Sequence, residues 1–341
     1  MAKAGNYYYE QLNKEQQKAY YAIKEGLLNL QDSFAVPMLS QRELSDIYFM
    51  IRMDQSAIFY SMTFSYKYYP DSTMVEMVPQ YLFTKDKIRE HRQAMESRVK
   101  KLARQTANLD EKGKELFIHD FIVENVKYDK LKKPYSHEII GALGNGVAVC
   151  EGIAKAVKIL CDELNIWCII ALSEANPDKG IKYRHAWNVI RINGQYYHLD
   201  VTFDNTLSRD DTVRYDYVNL SDKQIFRDHE PVIWKVPVCN DNDHFYYKEK
   251  KISWTTLEEV QNRTKQAVKK GKILLFHWRG GYLTKEVLAQ LMEIFDKEAA
   301  AKEKTAYVSV NWPQAVLRVR FAEGIGEEQL EMEEANEGEK N

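Results

Sequence analysis

The chain has 341 residues, 45% of them apolar and 29% charged, a balance that excludes collagen-like, fully disordered and disulfide-framework proteins and allows two or three domains. The formal net charge of −2 is unevenly spread: residues 322–341 hold eight Glu and one Lys, a net −7, which leaves the rest of the chain at about +5. No Lys/Arg run is interleaved with aromatics on one element, so a nucleic-acid partner is not expected.

In chain order, Asn13 with Gln16 and Ser40 with Glu43 have capping-box spacing and predict helices near 14–29 and 41–53. Residues 57–69 and 74–83 read as strands. A charged helix follows over about 85–107. Another covers about 111–126, with Leu116, Phe117, Phe121 and Val123 or Ile122 on its apolar side. The glycine-rich segment 141–146 lets the backbone turn tightly into the next helix, which starts at or just before Cys150. That helix buries Ile153, Val157, Leu160, Cys161 and Leu164, with Cys150 at its N-terminus outside the stripe. Residues 166–172 read as a buried strand with Cys168 as a small core residue.

Asn193-Gly194 then predicts a two-residue type I′ hairpin joining strands 184–192 and 195–201. With that turn Ile192 faces Gln195, Asp200 lies opposite Trp187, and His185 lies opposite Thr202. His185 and Asp200 become diagonal neighbours on one face, roughly 7–8 Å apart at the backbone and within reach of an imidazole–carboxylate hydrogen bond. Residues 205–250 read as a polar, aromatic-rich excursion with short strands. A helix over 256–269, a strand over 272–278, a helix capped by Thr284, and strands over 306–311 and 315–321 make a small α+β unit. The acidic stretch after Phe321 lacks apolar periodicity and is expected to be disordered.

Four cysteines, Cys150, Cys161, Cys168 and Cys239, show no Cys-x-x-Cys spacing, which argues against a structural zinc site or a redox dithiol. A nucleophilic cysteine needs a lowered thiol pKa, a nearby base and a group that orients the base. Cys150 at a helix N-terminus, His185 as base and Asp200 as orienter meet these needs. Residue pattern alone leaves a second reading equally open, in which Cys150 is a packed small residue and His185 a structural histidine. Asp204 reads as a turn cap, His198 as a packed or hydrogen-bonded residue, and Asp228-His229 as a loop anchor. His185, His198 and Asp200 resemble a metal set only by residue type, so no metal and no cofactor is expected. The Gly144–Gly146 loop lacks the Lys-Ser/Thr of a phosphate loop.

Three segments in order, Gly146-Val-Ala-Val-Cys150-Glu-Gly-Ile-Ala, His185-Ala-Trp-Asn188 and Tyr197-His-Leu-Asp200-Val-Thr-Phe-Asp204, resemble the core of the transglutaminase-like superfamily. The close resemblance covers 144–204, with a looser one from about 116–128 to 217–229. It implies an α+β fold with a papain-like core, in which the cysteine helix packs on an antiparallel sheet bearing His185 and Asp200. It also implies a thioester intermediate, shared by the superfamily's acyl transferases, cysteine peptidases and deglycosylating amidases. The chain departs from the common pattern at Ile153, where Tyr is usual, and at Phe203, where Trp is usual. These departures bear on substrate contacts and packing.

The expected organisation is therefore a mostly helical N-terminal domain with a strand pair (1–110), a transglutaminase-like core (111–250), a small α+β domain (251–321) and an acidic tail (322–341). The expected function is a thiol enzyme that cleaves or transfers amide bonds of a protein or peptide substrate through Cys150, His185 and Asp200. A cysteine peptidase is preferred because no calcium-ligand cluster is evident and water is the default acceptor. The alternative is a non-catalytic binding or scaffold protein that retains the fold. The apolar runs are too short to span a bilayer, and residues 1–9 lack a signal-peptide pattern. A cytoplasmic protein is expected as the sequence stands, or a secreted or surface-attached one if an upstream signal has been removed.

Overall fold

Asn13 and Ser40 each close the capping box that their spacing predicts, and the helices Lys14–Leu28 and Gln41–Asp54 follow them. Each box satisfies two orphan N–H groups and so fixes the helix start. The computed structural model describes residues 5–208 and 212–323. The acidic stretch from residue 324 lies outside them, and with it nearly all of the segment expected to be disordered. The chain divides into two units, Met1–Asn242 and Asp243–Asn341.

The first unit opens with those two helices and a three-stranded antiparallel sheet in the order Phe34–Pro37, Met74–Tyr81, Ser61–Lys67. Helices Lys85–Arg104 and Glu111–Asn125 come next. The second buries a different face from the one that apolar periodicity selects. Its buried residues are Glu115, Ile118, His119 and Ile122, while Leu116, Phe117, Phe121 and Val123 are half-buried. Glu115 accepts a hydrogen bond from Asn219 Nδ2 at 2.9 Å, and His119 finds two carboxylates, so both polar groups go inside with partners.

Helix Cys150–Glu163 packs on a four-stranded antiparallel sheet in the order Cys168–Ser173, His185–Ile192, Gln195–Leu199, Val218–Leu220. The strand Cys168–Ser173 is buried at every residue. The helix is enclosed on more than its predicted stripe, since Ala154, Lys155, Ala156 and Lys158 are also buried. Leu164 is only half-buried at its C-cap. The architecture is α+β, with the cysteine helix on an antiparallel sheet as the resemblance implied.

Two contacts set the helix on the sheet and on its own approach. Asn188 Nδ2 donates to Ala154 O at 3.0 Å and to Ile169 O at 3.3 Å, linking helix, central strand and edge strand through one side chain. A Cβ on Gly152 would lie 2.2 Å from Ser136 O, so only glycine lets segment 134–137 cross the helix's first turn. That crossing is fixed by Val149 N donating to Ser136 O at 3.0 Å.

The second unit holds a four-stranded sheet in the order Ser253–Trp254, Leu274–Trp278, Val316–Ala322, Thr305–Asn311, its first pair parallel and the others antiparallel. Helices Leu257–Lys270 and Lys285–Ala300 start at the Thr256 and Thr284 caps, whose side chains accept from Glu259 N and Val287 N. Phe276, Leu291, Phe295, Leu317 and Val319 form its core. Among the described residues no helix is long and apolar enough to cross a membrane.

Candidate functional site

The hairpin forms in the register its turn dictates. Asn193 and Gly194 have φ of 51° and 87°, and pairing runs from Ile192↔Gln195 to Asn188↔Leu199. Pairing then stops two residues short of the expected strand end at 201. Asp200 leaves the strand and caps a helix, Val201–Leu207, accepting from Thr202 N at 2.9 Å and Phe203 N at 3.1 Å. Thr202 is therefore helical and does not face His185. A buried aspartate before three residues of high strand propensity takes the capping role, because its carboxylate satisfies N–H groups that a strand end would leave open.

His185 and Asp200 meet regardless. His185 Nε2 lies 2.6 Å from Asp200 Oδ2, with Asp200 fully buried and the His185 side chain 18% exposed. The ring is held by aromatic neighbours, Trp187 nearly parallel at 5.8 Å and Phe203 tilted at 4.9 Å. Burial alone would lower the His185 pKa. The Asp200 charge and hydrogen bond, followed by hydrogen bonding to the Cys150 thiol and its charge, raise it instead to about 10. With Nε2 on Asp200, Nδ1 is the nitrogen left for that thiol. Burial opposes the Asp200 carboxylate charge, but the His185 charge and the hydrogen bonds from His185 and His229 hold its pKa well below the usual carboxylate range.

Cys150 opens its helix, and no side chain caps that terminus, so first-turn N–H groups remain for a developing oxyanion. It is partly exposed, while Cys161, Cys168 and Cys239 are buried. The Cys161 thiol is pushed up by its hydrogen bond with Cys168 and by burial, and the Cys239 thiol by burial and the nearby Asp222 charge. Tyr128 pairs across from Ala148, two residues before the cysteine, and burial with the charges of Cys150 and Asp200 raises its hydroxyl to about 12.

Behind the cysteine, the helix is anchored by a buried charge cluster. Arg52 reaches Glu138 at 2.6 Å and Glu151 at 2.9 Å, and Lys155 reaches each of those carboxylates at 2.8 Å. Glu151 stays ionised: burial opposes its charge, but Arg52 and Lys155 outweigh that and pull its pKa well down.

Other acidic and histidine residues acquire definite partners. Asp204 lies fully buried, with Oδ2 3.1 Å from His119 Nε2, and is remote from the His185 contact in its hydrogen bonding. His119 is buried, stacks on Tyr215 at 4.8 Å and meets Asp120 Oδ1 at 2.9 Å through Nδ1. His198 accepts from Trp187 Nε1 at 3.0 Å and lies 2.8 Å from Asp222 Oδ1 through Nε2. The residue that sequence reasoning missed is His229, whose Nε2 lies 2.8 Å from Asp200 Oδ2. The available signal was weak, since Asp228-His229 only ends the looser part of the resemblance.

Among the described residues, two groups of side chains have the composition of a metal set, His185/Asp200/His229 and His198/Asp222/Cys239. In the first, nitrogen–oxygen separations of 2.6 and 2.8 Å are direct hydrogen bonds, shorter than the roughly 3.3 Å between two ligands on a tetrahedral ion. In the second, the Trp187 N–H occupies the His198 Nδ1 lone pair and so places the ring proton on Nε2, the nitrogen a metal would need. Neither arrangement fits an ion.

Residues 100–201 match the sequence family described as the transglutaminase-like superfamily. Among solved structures the chain is similar to a TGase, at 11% identity and a TM-score of 0.28 with 50% of each chain covered. It is also similar to a candidate cysteine protease from Cytophaga hutchinsonii, at 18% identity and a TM-score of 0.27, with 41% of this chain and 62% of that one covered. The match thus spans between half and two thirds of those two chains. No curated protein sequence matches the chain.

Proposed function

We propose that this protein, whose residues 100–201 match the transglutaminase-like superfamily, is a thiol enzyme that opens amide bonds of peptide or protein substrates. One observation carries the proposal. A single imidazole, His185, is held by a buried carboxylate at 2.6 Å, and a partly exposed thiol at a helix N-terminus helps to raise its pKa. A retained but non-catalytic fold would not need that thiol at the mouth, coupled to that ring.

In the proposed reaction the Cys150 thiolate attacks the amide carbonyl carbon, forming the C–S bond. The carbonyl oxygen takes the negative charge against N–H groups of the helix's first turn. The C–N bond then breaks as the His185 imidazolium gives its proton to the departing nitrogen, leaving a thioester on Cys150. A water molecule, deprotonated by the now neutral His185, attacks the thioester carbon. The carboxylate product leaves and the thiolate–imidazolium pair returns. An amine in place of water would make the same site an acyl transferase. Hydrolysis is preferred because water is the default acceptor.

The test is alkylation by iodoacetamide at mildly acidic pH. Cys150 alone should react fast in the wild type, and His185→Ala should remove that selectivity. Slow, uniform labelling of all four cysteines would sink the proposal.

A further inference from the structure

The reaction just outlined leaves one imidazole unused. His229 Nε2 lies 2.8 Å from Asp200 Oδ2, the same oxygen that His185 Nε2 meets at 2.6 Å. Its Nδ1 lies 2.7 Å from Asp228 Oδ1, and Asp228 Oδ2 accepts from the Tyr217 hydroxyl at 2.5 Å. The His229 side chain is 1% exposed. A ring that faces a carboxylate oxygen at each nitrogen donates from both, which makes it an imidazolium. Burial works against that charge, but hydrogen bonds to Asp200 and Asp228 prevail and raise the His229 pKa.

The two rings stand nearly edge to face, with centroids 5.2 Å apart. The other Asp200 oxygen is taken up by Thr202 N and Phe203 N. Every acceptor direction of this buried carboxylate is therefore occupied, and one oxygen serves two rings.

Building on the thiol-enzyme proposal, we infer that His229 is a positioning residue, a second imidazolium that fixes the Asp200 carboxylate and moderates its hold on His185. Two effects act in the same direction. A second donor on Oδ2 makes that oxygen a weaker acceptor for the first. A like charge at 5.2 Å also disfavours a proton on His185. Asp200 and Cys150 alone would make His185 too reluctant an acid, and a general acid works best with a pKa near the working pH.

The groups facing His229 are consistent with this charge. Asp228 comes from its own loop, Asp200 from the end of the hairpin, and Tyr217 from the approach to the last strand. His185 and His198 face it from the two hairpin strands, and its charge helps to lower His198. The carboxylates of Asp200 and Asp228 thus face the two rings of His185 and His229.

The experiment is histidine ring ¹⁵N NMR on the full chain. In the wild type at pH 7.5, both His229 nitrogens should show the imidazolium signature. A neutral His229 ring overturns the inference. His185 is then titrated in a Cys150→Ala background, where the thiol no longer adds to its proton affinity. His229→Gln keeps an N–H donor but removes the charge, and should raise the His185 pKa by about two units, for a charge pair at this distance and an effective dielectric of about 20.

Asp228→Asn strips the counter-charge from His229 and should lower the pH at which His229 itself loses the imidazolium signature. It also serves where the glutamine variant does not fold. A His229 that merely packs would leave the His185 titration in place or lower it as Asp200 loosens, and either result overturns the inference. Wild-type Cys150 alkylation reports separately on the thiol-enzyme proposal. Uniform labelling together with the His185 shift would retain the shared carboxylate and remove the reaction.

Discussion

Two buried carboxylates in neighbouring turns of chain, Asp200 and Asp204, each hold a histidine, and the environments of the two pairs differ. His185 on Asp200 keeps 18% of its side chain exposed and couples to a thiol. His119 on Asp204 is fully enclosed, stacked on Tyr215, with a second carboxylate at its other nitrogen. Both rings are raised toward the cationic form by their carboxylates, so a histidine–aspartate hydrogen bond by itself does not mark a reactive centre. The His185 pair differs in its partial exposure and in a partly exposed thiol nearby, which the proposed reaction would use. The sealed pair ties helix Glu111–Asn125 to the helix that follows the hairpin, which is a task of stability.

This contrast can be broken most sharply by removing one carboxylate at a time. Asp200→Asn should slow Cys150 alkylation at mildly acidic pH by about 10²- to 10⁴-fold, the scale on which loss of an orienting carboxylate acts. Asp204→Asn should leave the rate in folded protein within about twofold. Equal slowing by both substitutions would erase the distinction.

Urea denaturation should show the reverse order. His119→Leu leaves the enclosed Asp204 without its histidine and should cost about 3–5 kcal/mol. His185→Ala should cost less than about 2 kcal/mol, because Asp200 retains His229 and two backbone donors.

For the two compared pairs the pH dependence follows from their raised rings, and the raised His229 adds to the same alkaline loss. Each has a folded pKa above its value of 6.5 in the unfolded chain, so its stabilisation is complete below about pH 6.5 and is lost as pH rises. His119 gives up its share on passing about 9 and His185 on passing about 10. Thermal melting of the wild type should fall between pH 7 and 10, and His119→Leu should flatten the earlier part of that fall. An unchanged slope would detach His119 from the alkaline loss.

The smallest effect is expected at the turn. Asn193→Ala puts an ordinary side chain at φ 51° and should cost about 1 kcal/mol while leaving Cys150 reactivity intact.

Local signals were legible in the sequence where a few residues decide the outcome. The two capping boxes, the Asn193-Gly194 turn and the hairpin register are of this kind, as is the start of the cysteine helix. Where distant partners decide, the reading ran out. Nothing near Glu115 or His119 announces that Asn219 and Asp204 will receive them, so apolar periodicity selected the wrong face of their helix. Val201-Thr202-Phe203 has strand propensity, yet the Asp200 cap turns it into a helix. His185 and Asp200 lie fifteen positions apart and are joined by one hairpin, whereas His229 reaches Asp200 from twenty-nine positions away, and no local pattern reports such a distance.

Arg52 has a consequence for how small a working piece of this protein can be. It arrives from helix Gln41–Asp54 and neutralises Glu151, the residue next to Cys150. A fragment that begins at residue 111 would keep Cys150, His185 and Asp200 and lose this cation, leaving Glu138 and Glu151 with Lys155 and, at 3.2 Å from Glu151, the His137 ring. Recombinant trimming to the recognisable motif would thus leave a buried anion under-compensated beside Cys150, and the shortest stable version of the first unit should retain its N-terminal helices.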